Sequence, residues 1–200
     1  MEKLDLYKLH KDEYVAPSKP VLVKTKPARY LTITGIGAPG EAVFVRQLSA
    51  LYNVAFTIKM AQKSAGTEYA VCKLEGLWWG AKGQSDFPTT PPETWNWKLL
   101  IRTPDFIVKH DLTAAVAALL KKGKAPTVSE VQIETFKEGL CVQMLHVGPF
   151  NKEAESIEKM RTFATEQGLS FHGLHHEIYL SDPRRVAPER LRTILRMAVK

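Results

Sequence analysis

Two stretches of the chain decide the fold: residues 21–37 read VLVKTKPARYLTITGIG, and residues 132–148 read QIETFKEGLCVQMLHVG. Each has a short extended run, a brief polar turn, a second apolar run and a final glycine. Two β-rich runs on either side of a short polar turn are typical of a β-hairpin. Because the pattern occurs twice, 111 residues apart, we predict two hairpins within an internal repeat.

Each predicted hairpin is followed by a stretch with helical periodicity, residues 40–62 and residues 151–167. The second helix has an apolar and a charged face, with Asn151 as its predicted N-cap and Gly168 as its stop signal. The first helix is apolar nearly all round, so we expect it to be covered on more than one side. Its additional apolar residues are Val43, Val45, Val54, Phe56 and Ile58.

The remaining segments complete the two copies. Predicted strands span residues 68–79, 95–102 and 172–181, a proline-rich loop spans 87–92, and predicted helices span 112–122 and 187–197. A strand-strand-helix-strand unit written twice predicts an α+β fold, with helices packed against a mainly antiparallel sheet. We divide this one compact domain into an N-terminal extension (1–20), a first repeat (21–110), a connecting helix (111–126) and a second repeat with a C-terminal helix (127–200).

The composition limits the class of protein. The chain has 200 residues, 44% of them apolar, and a net charge of +7. Its lysines and arginines are scattered and form no basic stripe, so we expect no direct DNA binding. No window approaches the ~18 apolar residues of a membrane-spanning helix, and the N-terminus lacks a signal-peptide core. Cys72 and Cys141 lie in apolar runs, as buried reduced thiols of a cytoplasmic protein do.

The tryptophans of the chain fall within one short stretch. They are Trp78, Trp79, Trp95 and Trp97. Alternate residues of a strand share a face, so Tyr69, Glu75 and Trp79 lie on one face unless Gly76 forms a bulge. The cluster is either packing within the core or an aromatic box for flat ligands, and Tyr52 on the first helix either lends a hydroxyl to such a box or packs in the core.

Two glutamates favour the ligand box. Glu75 and Glu177 occupy matching places in the two copies, so we expect both to face the seam between the copies. His175, Glu177 and Tyr179 share one face of their strand. A glutamate beside tryptophans is poorly hydrated and has a raised pKa, so it can hydrogen-bond a ligand, balance a ligand cation or act as a general base. The alternative for each glutamate is an ordinary surface position on a strand.

The six histidines do not form a metal-binding motif. His175 and His176 point to opposite faces of a strand, and no HExxH or cysteine-rich spacing occurs. The chain also has no G-x-S-x-G, P-loop or G-x-G-x-x-G motif. We therefore expect neither a metal nor a cofactor.

The chain resembles the GyrI-like small-molecule-binding family, specifically its stand-alone members, almost from end to end. The motifs that carry the resemblance are DLYK at residues 5–8 with Tyr14 and Pro17, KLEGLWW at 73–79, WNWKLLIRTPDF at 95–106, QMLHVGP at 143–149 and HHEIYLSDPR at 175–184. The resemblance implies two strand-helix-strand-strand units related by a pseudo-two-fold axis, with a central groove. It is shared with the effector-binding domains of multidrug-responsive transcription regulators, whose groove binds bulky aromatic, often cationic drugs, and with cyclopropanoid hydrolases.

The resemblance implies that the residues at the positions matching the family motifs line the ligand pocket. These residues are Glu75, Trp79, Trp97, Glu177 and Tyr179. About 20 residues precede the domain, too few for a helix-turn-helix, so we expect no direct transcriptional control. Our first hypothesis is a detoxifying hydrolase, in which an electrophile stacks on Trp79 and Trp97. Glu177 or Glu75 would then orient a water that opens a strained cyclopropane ring, with Tyr179 assisting.

Two other functions stay open from the sequence. The chain could bind or sequester drugs without chemistry, with Trp78, Trp95, Tyr52, Tyr69 and His175 as further ligand-binding residues. It could also be a protein-interaction module acting on a partner such as DNA gyrase, although its basic surface does not favour that. Recovery of altered ligand after binding distinguishes the hydrolase from the binder.

Overall fold

A computed structural model describes residues 3–83 and 89–200, so part of the predicted loop at 87–92 lies outside the described residues. The helices are α1 (Leu6–Leu9), α2 (Lys11–Tyr14), α3 (Ala42–Ser64), α4 (Lys109–Lys121) and α5 (Glu153–Glu166). The strands are β1 (Val21–Lys24), β2 (Ala28–Ile36), β3 (Leu74–Trp79), β4 (Asn96–Thr103), β5 (Gln132–Phe136), β6 (Leu140–Val147), β7 (His175–Tyr179) and β8 (Arg192–Ala198). Short 3-10 turns span Pro92–Thr94, Pro126–Glu130, Phe150–Lys152 and Pro188–Arg190.

The eight strands of the described residues form one antiparallel sheet in the order β1-β6-β8-β7-β3-β4-β2-β5. Helix α3 packs over β2 and β4, α4 packs against α3 and β5, and α5 packs over β6. The predicted α+β class, with helices against an antiparallel sheet, is therefore confirmed. The internal repeat stays a prediction, because strand order alone does not superimpose the two halves.

The two predicted hairpins are wrong. β1 pairs with β6 and β5 pairs with β2, so each half of the chain gives its first strand to the other half. The pattern of two β-rich runs around a polar turn is local, whereas the choice of pairing partner depends on contacts more than a hundred residues away. Sequence periodicity identified the strands but could not identify their partners.

The exchanged strands form two long, continuous ladders. Lys24 pairs with Leu140, and four residues further along the chain Ala28 pairs with Phe136, so the register continues across the interruption. The backbone N–H of Thr25 donates to the Gly139 carbonyl over 2.8 Å within the gap. Only three residues join β1 to β2, although the two strands lie near opposite ends of the sheet order. Three residues span little more than ~14 Å, so the sheet is strongly curved.

The two faces of the sheet have different coverings. The face under α3, α4 and α5 carries two apolar clusters, centred on Trp97 with Leu51 and on Met160 with Leu195. The other face is packed in part by the N-terminal segment, whose Tyr14 is almost completely buried. The predicted N-terminal extension is therefore part of the core packing.

The predicted C-terminal helix at 187–197 is wrong, because this segment forms β8 in the interior of the sheet, between β6 and β7. Six of its seven residues are buried, since both faces of a central strand are covered. A continuous apolar run loses its two-residue alternation and cannot be told from a buried helix by periodicity. Pro188 begins a 3-10 turn before the strand.

Two details of the predicted helices also change. Asn151 lies in a 3-10 turn, and α5 begins at Glu153 without a side-chain cap, so Asn151 is not its N-cap. Helix α3 is covered by the sheet and by α4, as expected, but its outer side is open to solvent, because Val45 and Phe56 are about half exposed. None of the helices in residues 3–83 and 89–200 is long and apolar enough to cross a membrane.

Both cysteines are buried and free, as the sequence predicts. Burial raises the pKa of the Cys72 thiol to about 12, and the pKa of the Cys141 thiol likewise to about 12. Thiolates are the reactive form of cysteine, so both residues act as small core side chains.

Candidate functional site

The candidate site lies where β3 and β7 run side by side at the middle of the sheet. Gly76 pairs with Glu177 and Trp78 pairs with His175, without the bulge that the sequence allowed at Gly76. Because Trp78 belongs to the cluster beneath α3, strand alternation places His175, Glu177 and Tyr179 on the same helix-covered face. The start of α5 reaches this face through Glu153.

Three ionisable side chains meet here. His175 Nε2 lies 3.1 Å from Glu177 Oε1 and 3.7 Å from Glu153 Oε2. The exposed fractions of the side chains are 4% for His175, 10% for Glu177 and 7% for Glu153. We call Glu153, His175 and Glu177 the carboxyl–histidine trio. Water screens these charges weakly, so their protonation states depend on one another.

The environment of the trio favours one charge arrangement. Burial alone would lower the pKa of His175, but hydrogen bonds to Glu153 and Glu177 outweigh it and raise the pKa to about 9. Burial raises the pKa of Glu153 to about 8, with a further contribution from the Glu177 charge. The raised pKa values of His175 and Glu153 therefore favour the protonated form of both groups at neutral pH.

The donor atoms of the trio all lie within 4.8 Å of one another, a spacing that a metal ion can also bridge. A histidine nitrogen that binds a metal must be unprotonated, whereas His175 Nε2 is within hydrogen-bonding distance of Glu177. The hydrogen bonds within the trio account for this spacing. In this structure the His175–Glu177 hydrogen bond and the His175–Glu153 contact make the trio a proton-sharing group.

Aromatic rings surround the trio on one side. The Trp78 Nε1–H donates to the Tyr179 hydroxyl over 3.0 Å, and the Phe44 ring of α3 stacks on Trp78 at 6.0 Å between centroids. Trp95 meets Trp78 edge-on at 6.1 Å, and Phe150 meets Tyr179 edge-on at 5.9 Å. Burial and then the Glu177 charge raise the pKa of Tyr179 well above its usual value, so its hydroxyl stays protonated.

The aromatic wall is not fully sealed. Phe150 is 40% exposed, and Tyr179, Trp95 and Tyr52 are each partly exposed. Burial, with a contribution from Asp182 in the turn after β7, raises the pKa of Tyr52. Two surface concavities, of about 410 and 230 Å³, lie against the outside of α5 and beside Arg29, away from the trio.

Glu75 does not join the trio, and the expectation that it faces a common seam with Glu177 is wrong. Glu75 is the register partner of Ile178, so its side chain points to the opposite face. There it is completely buried, and it accepts hydrogen bonds from the Tyr14 hydroxyl at 2.6 Å and from His176 Nε2 at 3.0 Å. Direct register, and not the match between the two copies, decides where a strand side chain points.

The predicted stacking pair is also separated by the sheet. Trp78 is the register partner of Trp97, so Trp79 points to the opposite face from both. Trp97 is completely buried, and its Nε1–H donates to the Gly37 carbonyl over 3.1 Å. Tyr69 precedes β3 and is 2% exposed, with its ring against Phe106. The structure brings together Trp78, Trp95, His175, Glu177 and Tyr179 of the predicted site residues.

The sequence analysis missed two residues of this site. Glu153 lies within the second predicted helix, and nothing in the sequence shows that the start of this helix contacts β7. Gly76 was considered only as a bulge. A Cβ at Gly76 would lie 2.8 Å from both Trp78 Nε1 and the Tyr179 hydroxyl, so the absence of a side chain makes room for both rings. An unusual glycine between Glu75 and the tryptophans was the available signal.

Known proteins share this fold. Residues 18–200 match the model of the family described as the GyrI-like small molecule binding domain. A conserved uncharacterised protein from Listeria innocua is 34% identical, with a TM-score of 0.93 over 99% of this chain and 100% of that chain. A hydrolase from Listeria innocua is 33% identical, with a TM-score of 0.89 over 99% of this chain and 100% of that chain.

A more distant structure shows the same fold alone. The EcmrR C-terminal domain is 10% identical, with a TM-score of 0.58 over 91% of this chain and 97% of that chain. No curated protein sequence matches the chain significantly.

Proposed function

Because the chain belongs to the GyrI-like small-molecule-binding family, we propose that it binds flat, hydrophobic, often cationic aromatic molecules and hydrolyses strained cyclopropane-type electrophiles among them. The observation that carries the proposal is the buried carboxyl–histidine trio directly beside a partly exposed aromatic wall. Aromatic rings bind a flat ligand, and a poorly solvated carboxylate is a base strong enough to act on water.

The ligand would enter beside Tyr179, Trp95 and Phe150, which are partly exposed. Movement of these side chains would open a path to Glu177, whose side chain is 10% exposed. A ligand cation would lie over the Trp78 and Tyr179 rings and face the Glu177 charge, as organic cations do in aromatic sites. Because Gly76 has no side chain, it would leave a flat surface on β3 beneath the ligand.

In the proposed reaction, Glu177 accepts a proton from a water molecule as the water oxygen attacks a carbon of the cyclopropane ring. The new C–O bond forms as a strained C–C bond breaks, and the released electron pair moves into the conjugated ring system of the ligand. The Tyr179 hydroxyl, held by Trp78, would hydrogen-bond the ligand. The hydrolase from Listeria innocua, 33% identical over its whole length, supports hydrolysis as the reaction class. The proposed activity would serve detoxification, and the two free, buried cysteines favour a cytoplasmic location.

The alternative is a binding protein without chemistry, which the mostly buried state of the trio favours. Tryptophan fluorescence, titrated with planar cationic and neutral compounds, measures binding, and mass spectrometry of the recovered ligand measures turnover. Saturable quenching with an added mass of one water supports the hydrolase. Saturable quenching with an unchanged mass supports the binder, and the absence of quenching by any compound contradicts both.

The Glu177→Gln variant tests the proposed base. We expect turnover to fall by about 100-fold or more, the usual contribution of a general base, while the affinity for neutral ligands changes by less than about 3-fold. The matched control is Glu158→Gln on the exposed side of α5, which should behave as the wild type. Full turnover by Glu177→Gln would exclude Glu177 as the base.

A further inference from the structure

Both carboxyl groups of the trio contact the same nitrogen atom. His175 Nε2 lies 3.1 Å from Glu177 and 3.7 Å from Glu153. This nitrogen carries one proton, so it can fully satisfy one carboxylate and not two. Two carboxylates in a poorly solvated site repel each other, and such a pair holds a proton of its own. The trio therefore contains a carboxylate and a carboxylic acid side by side.

One oxygen of Glu153 has no partner. Glu153 Oε1 is buried and makes no hydrogen bond in the described part of the chain, although Oε2 faces His175. Buried polar atoms without a partner are rare in proteins and call for an explanation. Within residues 3–83 and 89–200, a proton on Glu153 Oε1 has no acceptor in this arrangement, and the carboxyl group adjoins Glu177, the proposed base.

We propose that Glu153 is a second catalytic residue, which donates a proton to the ligand oxygen that receives the electrons of the breaking ring bond. This rests on the proposed hydrolysis. Water adds its oxygen to the ring carbon and gives one proton to Glu177. The C–C electron pair passes through the conjugated system to a carbonyl oxygen, which takes the Glu153 proton and becomes a hydroxyl. No other reactant is needed, and the substrates are cyclopropanes conjugated to a carbonyl group.

His175 Nε2 can restore the protonation states of Glu153 and Glu177 after each reaction. After the reaction Glu177 is protonated and Glu153 is a carboxylate. His175 Nε2 contacts both groups, so it can give its proton to Glu153 and take the proton that Glu177 holds. A single imidazole nitrogen between the two carboxyl groups thereby moves one proton from the base to the acid, with no net change in charge.

The surroundings of Glu153 agree with this role. The titratable groups that face it are His175, Glu177 and Tyr179, all on β7. Burial, and then the Glu177 charge, raise the pKa of Glu153 to about 8, although a position at the start of α5 favours the ionised form. Glu153 therefore keeps a proton to donate up to about pH 8.

Kinetics with a carbonyl-conjugated cyclopropane test the proposal. We expect Glu153→Gln to lower kcat by about 100-fold or more, while the Kd from tryptophan quenching stays within about 3-fold. Wild-type kcat should fall as the pH rises through about 8, and Glu153→Gln should lose this fall. Glu155→Gln, an exposed glutamate of the same helix turn, is the control and should match the wild type.

A second measurement does not depend on turnover. Carbon-13 spectra of protein labelled at glutamate side chains report whether the Glu153 carboxyl is protonated at pH 7, with Glu153→Gln used to assign the signal. A carboxylic acid signal that persists above pH 7 is expected. A signal that titrates near the ordinary glutamate range would overturn the proposal even if Glu153→Gln is inactive through misfolding.

The outcomes separate the two proposals. If the wild type does not convert the compound, the hydrolysis and the donor role both fail, and the spectra then decide only whether the trio holds a proton. If the wild type is active and Glu153→Gln is equally active, the donor role fails and the hydrolysis stands. Equal turnover of a cyclopropane without a carbonyl group would also overturn the donor role, because no oxygen would then need the proton.

Discussion

At the residue scale, Gly76 determines the shape of the candidate site. A methyl group there would lie 2.8 Å from Trp78 Nε1 and from the Tyr179 hydroxyl. We expect Gly76→Ala to push the two rings apart, to lower the affinity for aromatic ligands by about 10-fold and to lower the free energy of unfolding by about 1–3 kcal/mol. Fluorescence titration and urea unfolding measure the two effects.

The control for Gly76→Ala is Gly66→Ala at the end of α3. Gly66 has a φ of +88° and open space around it, so alanine there costs about 1 kcal/mol of stability through backbone strain. It should leave ligand affinity unchanged. Equal loss of affinity in both variants would show that Gly76 affects stability alone.

A second prediction at this scale concerns Glu75, which lies across the sheet from the trio. We expect Glu75→Gln to lower the free energy of unfolding by about 1–3 kcal/mol, because it disturbs buried hydrogen bonds to Tyr14 and His176. Ligand binding and turnover should not change. The opposite pattern, a stable protein with impaired turnover, would restore Glu75 to the reaction site.

At the element scale, the β1–β6 and β2–β5 strand pairs keep a continuous register across the three-residue connection between β1 and β2. The Thr25 hydroxyl accepts the Gly139 N–H over 3.0 Å, opposite a glycine with a φ of +83°. We expect Thr25→Val to lower the free energy of unfolding by about 1–2 kcal/mol, because the partly buried N–H of Gly139 loses its partner. Thr113→Val on the exposed side of α4 is the control, with an expected change within about 0.5 kcal/mol. Equal free energies of unfolding in urea for the two variants would contradict the role of Thr25 in holding the connection between β1 and β2 against Gly139.

This element scale also shows what the sequence could predict. The sequence placed β2, β6, α3 and α5 close to where they lie, because β2 and β6 are short apolar runs bounded by turn residues and the two helices have helical spacing of apolar residues. Periodicity failed at β8, whose two buried faces leave no alternation. It could not show that β1 pairs with β6, since pairing is decided by contacts distant in sequence.

For the candidate site as well, the sequence predicted the local strand geometry but not the contacts between residues distant in the chain. Strand alternation correctly grouped His175, Glu177 and Tyr179, because it needs only local geometry. The grouping of Glu75 with Glu177 failed because neighbouring strands are shifted by one residue, which reverses the face. Glu153 could not be found, because its contact with His175 depends on how α5 packs.

At the scale of the whole molecule, two buried histidines at adjacent positions of β7 point to opposite faces of the sheet. His175 belongs to the trio, and His176 binds Glu138 at 2.9 Å and Glu75 at 3.0 Å. Arg196 also contacts Glu138, at 3.4 Å. Each histidine is a cation held by carboxylates, so the stability of the fold depends on pH on both faces.

The direction of this dependence follows from the pKa shifts. Burial opposes the charge on His176, but Glu138 and Glu75 raise its pKa to about 9, as their counterparts do for His175. A raised histidine pKa gives stability that is complete below about pH 6.5 and is lost as the pH rises through about 9. Glu153, whose pKa is raised from 4.5 to about 8, adds a loss that begins above about pH 4.5 and is complete above about pH 8.

On the acid side the sign is reversed. Burial opposes the charge on Glu138, but His176 and Arg196 outweigh it and lower its pKa. The stability from Glu138 is therefore complete above about pH 4.5 and is lost as the pH falls further. The two histidines and Glu138 place the stability maximum between about pH 4.5 and 6.5, and the loss from Glu153, which begins above about pH 4.5, moves it towards the acid end of that range.

We therefore expect the free energy of unfolding in urea to fall between pH 6 and pH 9.5, by at most about 3 kcal/mol for each histidine. His176→Gln should reduce this slope, because glutamine cannot take up the proton that couples stability to pH. His110→Gln, at an exposed position at the start of α4, should keep it. A wild-type stability that is constant over this range would show that the histidines are neutral in the folded protein, and the charge arrangement assigned to the trio would then be wrong.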